Sequence, residues 1–440
     1  ACNPYRYDYK KIKNKAGLNI KEAQKEINEN LKDIKEKDKI KNTSSKQSLI
    51  CTVNPLPFSL LNFVFNFGNL TPKDEEKYIR NKIADSQKRY FDKYIDRENL
   101  NYQDLEKLHK LAVDLIVKSQ NFIREKNDKS SVTLREIKKF NIFFEFFFNY
   151  LKIKKETNLQ VIESMRSNEE ETIDYSRLKY KDIHIYSIIM SIFVCYYLRI
   201  LDNKTREEFN MILSIILKGF NKNFNEFLEI PKKEEMFIAQ NIELEKGIAK
   251  NRALLDNLFA LFVAINTKVP LFIVGKPGCS KSLSVQLINK SMKGRTSDNL
   301  LFANFPRINK TCYKGSMGST SEEVKRVFKK ARSVLRNIQQ NKEEKIISMI
   351  FFDEMGLAEH SPNNPLKVIH SELEYDLNEG DNKVAFVGIS NWALDTSIMN
   401  RGLYLSIPDP DRQDLKHISY AIGESYDYEL ASNYKTIYEN

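Results

Sequence analysis

Two periodicities divide this chain. From Lys73 to Leu228 apolar positions recur at helical spacing; Leu105, Leu108, Leu111, Ala112 and Leu115 form one i, i+3, i+4 stripe. Val132, Leu134, Ile137 and Phe140 begin a second, Ile188, Ile189, Ile192 and Phe193 a third, and Phe209, Ile212, Ile215, Ile216 and Phe220 a fourth. After Pro231 the pattern changes. Short apolar runs at 269–274, 346–352, 384–390 and 403–407 alternate with amphipathic stretches at 249–265, 320–340 and 364–378. Uninterrupted runs of this kind predict parallel strands buried on both faces. A further strand is expected near Phe305–Asn309, before a Gly-Ser loop at 314–319, and Thr320-x-x-Glu323 is a capping box that opens the next helix. The fold class predicted is α/β: a doubly wound parallel sheet preceded by an all-α layer.

Several stretches fall outside that scheme. Pro231 and the charged run Lys232-Lys233-Glu234-Glu235 predict a linker over 231–248. Residues 10–46 are rich in lysine and poor in aromatics, which predicts a solvated helix or an insertion. Structure is expected to resume at Leu49–Val53. The Phe-rich run from Phe140 to Leu151 and the apolar run from Ile183 to Leu198 both predict core helices. The second contains His184, Ser187 and Ser191 and is shorter than the about 18–20 clean apolar residues of a membrane span, so no transmembrane segment is expected.

Composition narrows the class. With 440 residues the chain holds two to three domains by size. It starts at Ala1 with no Met and no signal peptide, as expected of a piece of a longer polypeptide. Cys2, Cys51, Cys195, Cys279 and Cys312 make neither a zinc spacing nor a disulfide framework, which suits the cytoplasm. The net charge of +11 comes mostly from dispersed lysine. No basic patch interleaved with aromatics accompanies it, so nucleic acid is not an expected partner.

The candidate chemistry lies at the ends of the predicted strands. Gly275-Lys276-Pro277-Gly278-Cys279-Ser280-Lys281-Ser282 follows the run Val269–Val274 and precedes a helix-like stretch, which is the context of a phosphate-binding P-loop. Gly275 and Gly278 let the backbone curl so that its N–H groups converge on phosphate oxygens. The helix N-terminus adds partial positive charge. Lys281 is placed to reach the β- and γ-phosphates of ATP, and the Ser282 hydroxyl to ligate Mg²⁺. Ser280 stands where a glycine usually precedes the lysine, and weaker or slower nucleotide handling is the expected result. The run Ile346–Phe352 ends in Asp353-Glu354, the Walker B arrangement: Asp353 for the Mg²⁺ shell, Glu354 to polarise the attacking water. The run Val384–Ser390 ends in Asn391, a sensor for the same water. Arg401 occupies the place of an arginine finger.

These segments carry a family resemblance. Carried by GIAKNRALLDNLF, PLFIVGKPGCSKS, FFDEMGLAEHSPNNPLKVIHSELE and GISNWALDTSIMNRG, the stretch 242–420 resembles the AAA+ core of the mysterin family, giant ATPases that are also ubiquitin ligases. The Ser280 departure is itself family-like. ACNPYR at 1–6 and VNPLPFSLLNFVFNFGNLTPKDEEKYI at 53–79 resemble the end of the preceding AAA+ module. The resemblance implies residues 1–71 as the end of one core with the 10–46 insertion, 72–230 as its helical lid, 249–408 as the next core and 409–440 as the start of that core's lid. It implies Asn3 as sensor 1 of the first module and Arg135, in Ser131-x-x-Leu134-Arg135, as its sensor 2, with an ordinary helix-surface arginine as the alternative. Phe63 stands where the first module would carry a finger. Implied partners are neighbouring AAA+ modules and, through regions outside this chain, the ubiquitination machinery. Two other readings stay open: a nucleotide-gated scaffold with little turnover, and a dynein- or midasin-like remodeller without ligase activity.

Overall fold

The structure, a computed structural model, describes residues 70–126, 132–157, 175–222, 224–339, 345–376 and 383–426. Asn3, Phe63 and the 10–46 insertion lie outside the described residues.

The helical stripes become helices that bury the faces they predict. Helix α1 (Pro72–Phe91) starts on a Thr71 cap whose hydroxyl accepts from Asp74 N, and Pro72 takes the first turn, where no N–H is needed. Helix α2 (Tyr102–Lys126) buries Leu108, Leu111, Leu115, Ile116 and Ile123. Helix α3 (Arg135–Thr157) carries the phenylalanine run, with Phe140, Phe143, Phe144, Phe147 and Phe148 buried. Helix α4 (Tyr180–Cys195) is mostly apolar and, from Ile183 on, buried on nearly every side. With the turn that follows, it is long and apolar enough to cross a membrane, but 83% of the window is buried inside the protein. Its His184 packs among Phe91, Phe144 and Phe148, and its Nδ1 lies 2.8 Å from the Tyr94 hydroxyl. Burial pushes its pKa down to about 3, as for a neutral core histidine. Helix α5 (Asn203–Phe220) begins on an Asp202 cap.

The linker expectation needs correcting. Glu229–Gln240 form a further helix, α6, with Glu234 and Glu235 among its buried residues. Glu234 accepts hydrogen bonds from Lys154 at 3.0 Å and from Tyr150 at 3.0 Å, and Glu235 pairs with Lys232. Pro231 falls in the first turn, where its missing N–H costs no helical bond. A charged run reads as solvated when its partners are remote in sequence; here Glu234 finds them on α3, and Lys232 reaches Asp256 at 3.2 Å.

Helix α7 (Arg252–Thr267) then leads into the sheet. Strands β1 (Leu271–Val274), β2 (Arg307–Lys314), β3 (Ile346–Asp353), β4 (Ala385–Ser390) and β5 (Leu403–Ser406) are all parallel, in the order β2-β3-β4-β1-β5. Between them run α8 (Lys281–Ser291), α9 (Leu300–Ala303), α10 (Ser321–Gln339), α11 (Met355–Glu359), α12 (Lys367–Asp376) and α13 (Thr396–Met399), with α14 (Arg412–Tyr426) after β5. Strand β2 outruns its expected end because it pairs with β3 from Arg307 to Lys314.

Strand alternation splits the core in two. Leu271, Ile273, Met349, Phe351, Val387, Ile389 and Leu405 share one apolar cluster with α1–α8. Phe272, Ile350, Phe352 and Phe386 face the other way, against Val324 and Phe328 of α10 and Ile369 and Leu373 of α12. The sheet is thus covered on both faces, and the helices from α1 onward share a core with it.

Candidate nucleotide site

In a parallel sheet covered on both faces, ligands bind beyond the carboxyl ends of the strands. The register brings three such ends together. Val274 pairs with Ser390, and Phe352 with Gly388, so Gly275, Asp353 and Asn391 leave adjacent strands at one edge. Gly275 N donates to Ser390 O at 3.3 Å.

The loop between β1 and α8 has a backbone that restricts its residues. A Cβ on Gly275 would meet Ile407 Cβ at 2.9 Å. Gly278 has φ +87°, in the region that favours glycine. Ser280 has φ 55° and ψ 17°, a left-handed conformation that costs an L-residue roughly 1–2 kcal/mol. This is the physical meaning of the missing glycine: the turn keeps its shape, and serine bears the strain. From below, Asn257 of α7 donates through Nδ2 to Cys279 O at 3.1 Å. Burial raises the Cys279 thiol pKa, against the nearby Lys281 ammonium. Lys276 and Pro277 lie exposed on the outer rim, and Lys276 pairs with Asp409 at 2.6 Å.

Lys281 opens α8 and is buried. Its ammonium donates to Gly275 O at 2.7 Å and Lys276 O at 2.8 Å, which holds it over the loop. Burial lowers its pKa, while Cys279, Glu354 and Asp353 work to raise it. Ser282 follows, half-buried in the first turn.

Asp353 ends β3, and its Oδ1 accepts from Glu354 N at 2.9 Å. Glu354 itself sits at φ 50°, again left-handed. Strain of this kind at a non-glycine residue concentrates at functional sites. Asn391 Nδ2 donates to Glu354 Oε2 at 3.3 Å, so the two side chains meet in front of the sheet. Lys281, Asp353, Glu354 and Asn391 therefore share one edge with Ser282.

Arg401 and Arg135 lie elsewhere. Arg401 occupies the turn before β5, and Leu403 pairs with Leu271, so it sits at the amino end of the strands. The length of β1, roughly 13 Å, separates that end from the loop at 275–282. Arg135 is the exposed first residue of α3. One helical turn on, Lys139 donates to Asn400 O at 3.3 Å and Gly402 O at 2.5 Å, so α3 meets the Arg401 turn. Sequence reasoning missed Asn257 and Lys139. Asn257 falls within GIAKNRALLDNLF and Lys139 outside the quoted segments; the local signal of each is a polar residue on an otherwise apolar stripe.

The donor set suits the expected cofactors. Mg²⁺ prefers oxygen ligands and is usually held by one or two carboxylates together with substrate phosphates and water. Ser282 and Asp353 supply such oxygens. Among the described residues no group of three or more His, Cys, Asp or Glu side chains could cage a metal alone.

A five-stranded parallel sheet with this loop after its first strand defines a core of the AAA type. Residues 247–414 match a family described as the RNF213 AAA domain, and the chain belongs to the RNF213, or mysterin, family. It is 30% identical over 439 residues to the zebrafish (Danio rerio) E3 ubiquitin-protein ligase rnf213-beta, covering 97% of this chain. It is 29% identical over 428 residues to the human E3 ubiquitin-protein ligase RNF213, covering 94%. The mouse protein of the same name matches at the same 29% identity. The chain spans 8% of the length of each of these relatives.

Proposed function

We propose that the parallel core binds ATP and hydrolyses it with Mg²⁺. The observation that carries this reading is the shared edge: Lys281 over its loop, with Asp353 and the Glu354–Asn391 pair on the neighbouring strand ends. In this reading the residues from Gly275 to Ser282 (Lys276, Pro277, Gly278, Cys279, Ser280 and Lys281 between them) cradle the phosphates. Ser282 and Asp353 hold Mg²⁺, which when bound neutralises charge on the phosphate oxygens. Glu354 takes the proton of the attacking water, and Asn391, by its contact with Glu354, orients both. The same reading makes 249–408 a doubly wound core, 72–230 the helical lid of a preceding module, and 409–440 the start of a lid. Arg401 and Arg135 then serve the preceding module's nucleotide. The contact of α3, which Arg135 opens, with the Arg401 turn, at the strand end opposite Lys281, supports that assignment.

The relatives' names extend the proposal: this chain is part of the motor of a giant E3 ubiquitin ligase in the cytoplasm. Its partners are neighbouring AAA+ modules and, through other regions, the ubiquitination machinery. The left-handed Ser280 favours one rival, a scaffold that holds ATP and turns it over little.

One experiment separates them. Occupancy and turnover are measured together on the intact protein, for Lys281→Ala and Glu354→Gln. Lys281→Ala is expected to lose ATP at this site. Glu354→Gln is expected to retain ATP and to lose roughly 10²-fold or more in turnover, the loss of a general base. Unchanged ATP affinity in Lys281→Ala would overturn the site. Wild-type turnover in Glu354→Gln would leave the scaffold.

A further inference from the structure

The turn that carries Arg401 is held from two sides. On the sheet side, Leu403 N donates to Pro270 O at 2.6 Å, and a Cβ on Gly402 would meet that same oxygen at 2.4 Å. On the helical side stands Lys139, from α3. Its ammonium donates to Asn400 O and to Gly402 O, the carbonyls of the residues on either side of Arg401. The positions are 261 and 263 residues apart in sequence.

Lys139 is itself fixed. Glu136, one turn earlier, pairs with it at 3.1 Å, and Arg199 reaches the same Glu136 oxygen at 3.5 Å. The other Glu136 oxygen accepts from Thr133 N at 2.9 Å and from the Thr133 hydroxyl at 3.0 Å. The Glu136 side chain is 1% exposed and that of Lys139 11%. Burial works to raise the Glu136 pKa, but Lys139 and Arg199 outweigh it and hold the carboxyl below its ordinary range. A buried cation is expensive, and this one directs its remaining donors at two backbone carbonyls of a turn. Those carbonyls fix the peptide planes before Arg401 and after Gly402, and with them the direction in which the Arg401 side chain leaves the chain.

We propose that Lys139, braced by Glu136 and Arg199, is a positioning residue for Arg401. It locks the Asn400–Gly402 backbone to α3, so that Arg401 and Arg135, one helical turn from Lys139, present to the same phosphates as one unit. The inference rests on the reading of Arg401 as a finger acting in trans. Its physical content is that the helical layer, not the sheet, sets the aim of that finger.

A double-mutant cycle in the intact protein tests it. Arg401→Ala is expected to cut ATP turnover at the site served, not at the Lys281 site, by about 10³-fold or more. Lys139→Met keeps the stem and removes the donor; since misplacement by about 1 Å can cost roughly 10²-fold, a loss on the order of 10-fold or more in kcat is expected, with KM little changed. The double variant should be no slower than Arg401→Ala alone, because Lys139 acts only through Arg401. Amide hydrogen exchange across 398–404 should quicken in Lys139→Met. Should Lys139→Met fail to fold, Lys139→Gln and Glu136→Gln carry the same cycle. Losses that multiply in the double variant would overturn the proposal, as would normal turnover in Lys139→Met beside a crippled Arg401→Ala. Normal turnover in Arg401→Ala would overturn the finger reading, and this inference with it.

Discussion

The helical layer and the strand-end site both place charges out of bulk water, and they treat them in opposite ways. In the helical layer the buried ions described meet charged partners. Lys154 meets Glu234, with Tyr150 donating to the same carboxylate. Arg206 meets Asp256 at 2.7 Å and gives its other donors to Ile200 O and Ser406 O. At the strand ends the acidic residues are half-buried, held by one backbone N–H and one amide, on a backbone bent into left-handed conformations at Ser280 and Glu354. A matched buried ion stabilises its surroundings or specifies them. An ion on a strained backbone with spare lone pairs is available for a ligand. The difference separates scaffold from chemistry more sharply than composition does, since both regions draw on the same lysines and glutamates.

The largest test of that contrast compares two acid substitutions. Asp256→Ala leaves the buried Arg206 without its carboxylate and takes one of two acidic partners from Lys232, and breaking a buried pair this way costs about 3–5 kcal/mol. Glu354→Gln should shift stability by under about 1 kcal/mol, within the range of substitutions outside a packed network. Denaturant midpoints at constant m-value give both numbers. Equal losses would erase the distinction between the two regions.

A smaller effect comes from pH. Burial raises the Glu235 carboxyl to about 8, against the pull of Lys232. The folded state then keeps a proton that the unfolded chain gives up above its ordinary pKa of 4.5, so this group's contribution to stability falls as pH rises through that window. Asp256, held low by Lys232 and Arg206 against its burial, titrates below the window, and Lys232, raised by Asp256 and Glu235 against its own, titrates above it. His184 works in the opposite sense, but only below its unfolded value of 6.5. Between pH 6.5 and about 8 the thermal midpoint should therefore fall, and Glu235→Gln should flatten the fall. A flat wild-type profile would mean that Glu235 is ionised within its network.

The smallest effect sharpens the other side. Ser280→Gly removes the left-handed penalty at φ 55° and should raise stability by up to about 1 kcal/mol, read from the thermal midpoint. A loss instead would show that the serine side chain contributes more than its backbone strain costs.

Much of this molecule was legible before any coordinate. The strands are uninterrupted apolar runs, and burial on both faces produces such runs directly. The loop at 275–282 and the Asp353–Glu354 pair are each contiguous in sequence, so a local pattern displays them whole. Periodicity therefore determined the α/β class, the parallel strands and the strand-end candidates. Only the tertiary structure decided what the isolated charges do. Lys232–Glu235 reads as a solvated connection, yet Glu234 is buried against Lys154, 80 residues away. Lys139 is one polar position on an apolar stripe, yet it grips the turn of Arg401 through Gly402 O, 263 residues away. A local pattern records whether a position faces the core. It carries no record of which remote partner makes a charge tolerable there, because that depends on where the sheet and the helices meet.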